Sequence, residues 1–249
     1  MSSSDQTPDE DRAPPPESIS SKAEKDLLVG GFAFYLSLLL LFPTGVLFFV
    51  LAILQLRNAE MKLAAIFIAS SIFGAALAKA IIRDHISVLL HEFKHRLIAN
   101  LVGNKFKGMK VGKNSGHVTY TYTKKTAHYN AFISLAPYIV PVFTILASVI
   151  AFASLRHDPL MVLVVVGLGY GADLLLNVRD ISPIQTDISL IRGGYTIGLL
   201  YIFAWNLVIA AIVLAWGFQG VAGIGHLFQA VAEAFFHLYF SMTGRTPGD

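Results

Sequence analysis

Hydrophobic positions along this chain fall in long blocks separated by short polar breaks. Residues 27–56 are apolar apart from the run Phe42-Pro43-Thr44-Gly45. Thirty helical residues would reach about 45 Å, against a hydrocarbon core of about 30 Å, so this block predicts either one kinked, tilted span or a tight helical hairpin. Residues 61–82 predict an uninterrupted span that Arg83-Asp84 ends, and a further helix is predicted over 87–102. Spans are predicted again over 129–155, which contains Pro137 and Pro141, and over 159–176 and 195–218. The block 221–242 is apolar but carries His226, Glu233 and His237, so it crosses the bilayer or lies in its interface.

Two stretches break the pattern. Residues 103–128 form the long polar insertion, holding Lys105, Lys107, Lys110, Lys113, Lys124 and Lys125. Within it GHVTYTYT alternates, with Val118, Tyr120 and Tyr122 on one side and Thr119, Thr121 and Thr123 on the other. That period predicts a strand, and the nearby glycines predict the turns of a small hairpin. So many lysines place the insertion in the cytoplasm. Counting spans from there, the irregular stretch 177–194 begins on the same side as the end of the 87–102 helix.

The predicted fold class is an all-α polytopic membrane protein of about six transmembrane helices with a small cytoplasmic β-hairpin insertion. Residues 1–26, rich in Ser, Pro, Asp and Glu, predict a disordered tail, 27–242 the membrane domain, and 243–249 a flexible C-terminus. Composition agrees: 55% of residues are hydrophobic and only 14% charged, against about 25% charged in soluble domains. Cysteine is absent, so thiolate metal sites and disulfides are excluded. No basic stripe interleaved with exposed aromatics points to nucleic acid. The lipid bilayer is the implied partner, and nothing here fixes an oligomeric state.

The candidate chemistry lies in LLHEFKHRL, residues 89–97. His91 and His95 stand four apart, on one face of a helix and about 6 Å from each other, within reach of one tetrahedral ion. Glu92 falls beside such an ion rather than on it, the place for a general base that deprotonates a metal-activated water. A five-residue match also arises by chance, and a polar cluster can simply join helices. The apolar setting favours function, because ionisable groups at membrane depth cost several kcal/mol. Catalytic zinc takes three protein ligands. Asp173, Asp180 and Asp187 lie on the same side; Asp180, beside Arg179, reads as a solvated loop charge, and Asp187, in SPIQTDIS before the next span, is favoured. His85, His117, His128, His226 and His237 are weaker candidates.

These motifs resemble the site-2 protease family of intramembrane zinc metalloproteases, over roughly residues 89–200. HEFKH matches HExxH, GHVTYTYT looks like the β segment after the motif helix, and NVRDISPIQTDIS looks like the loop in which an Asn and a Pro precede a metal-binding Asp. Lys94 stands where the family usually has Gly, and Ala136-Pro137 where it has Gly-Pro. The resemblance implies Zn2+ held by His91, His95 and Asp187, Glu92 as the catalytic residue, and Asn177 near the substrate. Val118 and Tyr120 lie on the strand to which an unwound substrate segment could add. The implied activity is zinc-dependent endopeptidase cleavage of a transmembrane protein substrate, in a multi-pass protein expected in a bacterial inner membrane. The alternative is a catalytically inactive scaffold that binds single-span partners.

Overall fold

The computed structural model describes residues 32–56, 61–113, 115–121, 123, 125–126, 129–155 and 158–243. The expected tail over 1–26 and all but the first residue of the expected C-terminus over 243–249 lie outside them. In chain order the elements are α1 (Phe32–Leu56), α2 (Met61–Ile81), α3 (Asp84–Leu101), β1 (Lys105–Val111), β2 (Gly116–Thr121), α4 (Asn130–Ile139), α5 (Val142–Ser154), α6 (Pro159–Asp180), α7 (Thr186–Ser189) and α8 (Gly194–Thr243). Among the described residues, α1, α2, α6 and α8 are long and apolar enough to cross a membrane, and α4 with α5 makes a fifth if that bent pair is one span. The chain is an all-α integral membrane protein with a two-stranded antiparallel insertion.

Each predicted span has a helix at its position, with three differences. Residues 32–56 form one helix that continues through Pro43, so the hairpin alternative is not taken. The span expected over 129–155 is broken into α4 and α5, bent by 65° between Ile139 and Val142. The span expected over 195–218 and the spanning or interfacial block 221–242 are joined in α8, where Gly220 (φ 64°, ψ −151°) interrupts the helix in a conformation that side chains resist. At that break the chain turns sharply enough for Gly223 to lie against the Ala215 carbonyl.

α1 packs along α8, α2 along α6, and α5 against α6, while α3 leans on α4 and carries the hairpin. The α2–α6 contact is close because both helices present small residues: a Cβ at Gly74 would strike the Leu168 carbonyl, and one at Gly171 that of Ser71. α6 starts where the sequence provides a start: the Asp158 carboxylate accepts from the Leu160 and Met161 amides, with Pro159 in the first turn. In the hairpin, Val111 pairs with Gly116 and Lys105 with Thr121, with an irregularity between Phe106 and Gly108. The strand expected over 118–123 thus starts earlier and pairs through Thr121; Tyr122 is outside the described residues. The Arg96 guanidinium lies 4.3 Å above the Phe106 ring and holds the hairpin to α3.

Candidate metal centre

α3 is the most polar of the long helices, and its polarity is directed inward. Glu92, Lys94 and His95 are buried, while Leu89, Phe93 and Leu101 are exposed. Of the inward residues, His91 and Lys94 reach α6, where Asp173, Asn177 and Asp180 recur at helical spacing along one face. Two ladders of side-chain contacts join the helices. His91 Nδ1 meets Asp180 Oδ2 at 3.2 Å. Lys94 Nζ donates to Asn177 Oδ1 at 3.3 Å and stands 3.9 Å from Asp173 Oδ1.

The third acidic contribution comes from the short helix α7. Asp187 Oδ2 lies 3.0 Å from His91 Nε2 and 3.3 Å from His95 Nε2. The three ligand atoms are within 4.8 Å of one another. Each imidazole's other nitrogen is already committed. His95 Nδ1 lies 2.6 Å from the Ile133 carbonyl, and His91 Nδ1 faces the Asp180 carboxylate. A carbonyl and a carboxylate only accept, so both Nδ1 atoms donate. In neutral rings this leaves two Nε2 lone pairs and a carboxylate oxygen converging on one point. Such a convergence requires a cation, or an added proton on each ring. Ligand atoms bonded to tetrahedral zinc at 2.0–2.1 Å stand roughly 3.3 Å apart, so the donor set fits that ion. In the second case, with both rings protonated, burial still raises the Asp187 carboxyl pKa, but the hydrogen bonds and charges of the two histidines outweigh it and hold the group below the usual carboxylate range.

Glu92 sits on the same helix, 5% exposed, in a cleft of about 660 Å³ that also reaches both histidines and Asp187. Its side chain abuts β2: a Cβ on Gly116 would fall 2.7 Å from Glu92 Cγ and 2.9 Å from Oε1. Val118 and Tyr120 line the same cleft from β2, as does His117.

The sequence model of the Peptidase M50B-like family matches residues 63–234, a stretch that runs from α2 into α8 and contains both halves of this centre. The chain belongs to that family. It is therefore a member of the site-2 protease family, whose M50 peptidases are zinc metalloproteases. No curated protein and no solved structure matches it.

In this site-2 protease family member, His91, Glu92, His95 and Asp187 line one cleft, with His91, His95 and Asp187 close enough to share an ion. Asn177, expected near the substrate, is buried and lies outside the cleft; it accepts from Lys94, and its amide nitrogen is 3.5 Å from Asn206 Oδ1. Asp180 is the residue that sequence reasoning missed. It is the last residue of α6 rather than a solvated loop charge, because the helix continues four residues beyond its expected end. The available signal was spacing: Asp173, Asn177 and Asp180 share one helix face.

Proposed function

We propose that the chain is an intramembrane zinc endopeptidase that hydrolyses peptide bonds of membrane-spanning protein substrates, as expected for a bacterial inner-membrane enzyme. The observation that carries this reading is the convergence of His91 Nε2, His95 Nε2 and Asp187 Oδ2, with both Nδ1 atoms engaged elsewhere. His91, His95 and Asp187 would hold the ion. A bound zinc supplies Lewis acidity, polarising a carbonyl and acidifying water. Glu92, in the same cleft, takes the proton from the attacking water and returns it to the departing amine. Asp180 and the Ile133 carbonyl keep the two imidazoles turned toward the ion.

A substrate helix must first lose its internal hydrogen bonds, and each amide freed in lipid costs several kcal/mol. β2 offers a partner. It pairs with β1 in a sheet of two strands, and Val118 and Tyr120 line the cleft beside Glu92. An unwound segment adding to β2 would recover main-chain hydrogen bonds while crossing in front of the metal ligands.

The test is Glu92→Gln in the purified full chain, reconstituted in liposomes with a single-span substrate. Cleavage falls by roughly 10²–10⁴-fold while about one zinc per chain is retained. Undiminished cleavage rejects Glu92 as the base, and a wild-type chain that takes up no zinc rejects the enzyme reading in favour of the scaffold.

A further inference from the structure

Pro137, in the last turn of α4, and Pro141, in the break before α5, stand four residues apart. In a helix the carbonyl of residue i accepts from the N–H of residue i+4, and proline has none to give. Pro137 therefore leaves the carbonyl of Ile133 without its helical donor, and Pro141 does the same to the carbonyl of Pro137. Both orphaned oxygens point at the motif helix and both are taken. His95 Nδ1 lies 2.6 Å from Ile133 O, and Lys94 Nζ lies 2.9 Å from Pro137 O.

We propose that Pro137 and Pro141 are positioning residues of the metal centre: by withholding two main-chain N–H groups, they reserve the carbonyls of Ile133 and Pro137 for His95 and Lys94. The metal part of this inference rests on the reading of His95 as a ligand; the pairing of carbonyls with side chains does not. The match is of register as well as chemistry. Acceptors one helical turn apart on α4 meet donors that are adjacent on α3. The Ile133 bond turns the Nε2 lone pair of His95 toward Asp187. The Lys94 bond fixes where α3 stands along α4, with Asn177 and Asp173 of α6 completing the cation's surroundings.

The rest of the break is satisfied in the same way. The Tyr138 carbonyl accepts from Asn206 Nδ2 at 3.0 Å, and Asp173 Oδ2 accepts from the Thr144 amide and hydroxyl at 2.7 and 2.8 Å, in the first turn of α5. Side chains of α3, α6 and α8 thus replace the main-chain partners that the bend removes, and two of those side chains belong to the HEFKH motif.

The experiment uses the full chain in detergent, with zinc or cobalt(II) alone as the probe, and the variants P137A, P141A and P43A. Pro43 lies in α1, away from the centre, and serves as the control. P137A restores a donor that competes for the Ile133 carbonyl, so its metal affinity falls by about 10–100-fold, the range seen when an outer partner of a ligating histidine is lost. P43A leaves affinity unchanged. Equal metal affinity in P137A and wild type overturns the proposal. The imidazole ¹⁵N resonances of His95 in metal-free protein give a readout that needs no ion. Wild type holds the His95 Nδ1–H against solvent exchange in its bond to the Ile133 carbonyl, whatever Nε2 carries, and P137A loses that protection; equal protection in both overturns the inference. Should wild type bind no metal, the enzyme reading fails and this second measurement still decides the role of the proline. For Pro141 the readout is coupling. Lys94→Met lowers the unfolding midpoint less in a P141A background than in wild type, because the main-chain N–H restored by P141A then serves the carbonyl that Lys94 served. Strict additivity of the two changes overturns that half.

Discussion

Replacing Asp180 by Asn removes a charge that never touches the proposed ion, and the size of the effect follows from the geometry. The Asp180–His91 contact is a single charge-assisted hydrogen bond of 3.2 Å, formally worth about 1.5–3 kcal/mol. Two features move it to the low end. The Asp180 side chain is 20% exposed, and its other oxygen lies 3.8 Å from Arg179 Nε, which already takes part of its charge. A loss of about 1.4 kcal/mol in metal binding is a tenfold weaker Kd. Asp180→Ala, which leaves His91 Nδ1 without an acceptor, reaches further toward the 100-fold limit for an outer partner of a ligating histidine. The assay is competition for zinc between the purified protein and a chromophoric chelator, run beside Asp158→Asn. Asp158 caps the far end of the same helix, and its variant should keep wild-type affinity. Affinities within twofold of wild type for both Asp180 variants would refute the claim that Asp180 sets the His91 tautomer.

Gly116→Val tests the contact between β2 and the base: its Cβ would fall 2.7 Å from Glu92 Cγ, so cleavage drops at least tenfold with zinc content unchanged, measured by turnover and metal analysis on one preparation. Lys94→Met leaves Asp173, 2% exposed, with its Thr144 hydrogen bonds but no counter-charge and lowers stability by about 3 kcal/mol. The double variant Lys94→Met/Asp173→Asn recovers much of that loss in denaturant-induced unfolding followed by tryptophan fluorescence. A double variant no more stable than the single one argues against the ion pair.

The helices and the centre were legible in the sequence to different degrees, for physical reasons. Apolar blocks announce spans because lipid demands them, and the expected positions of α2 and α6 were matched within a few residues. HEFKH could be read because its geometry is local: i and i+4 on a helix need no knowledge of the rest of the fold. Asp187 could be favoured because a polar residue on the right side of the membrane, just before a span, has few other uses. Asp180 was not legible as a partner of His91, since a contact across 89 residues depends on how α3 and α6 are set against each other. The 65° bend was likewise hidden. Two prolines predict orphaned carbonyls, but whether a helix breaks or bends gently depends on the donors nearby, and those come from α3 and α8. Asn177 was placed by its motif position alone, which carries no signal of the buried lysine that donates to its side-chain oxygen.

Lys94 has a consequence for how such a sequence can drift. With glycine there, the oxygen that Pro141 sets free would lose the ammonium that now occupies it. Residues 94 and 141 are therefore not two independent letters. Changing one without the other leaves a buried group unanswered, and a chimera that swaps the motif alone inherits one half of an agreement made between two helices.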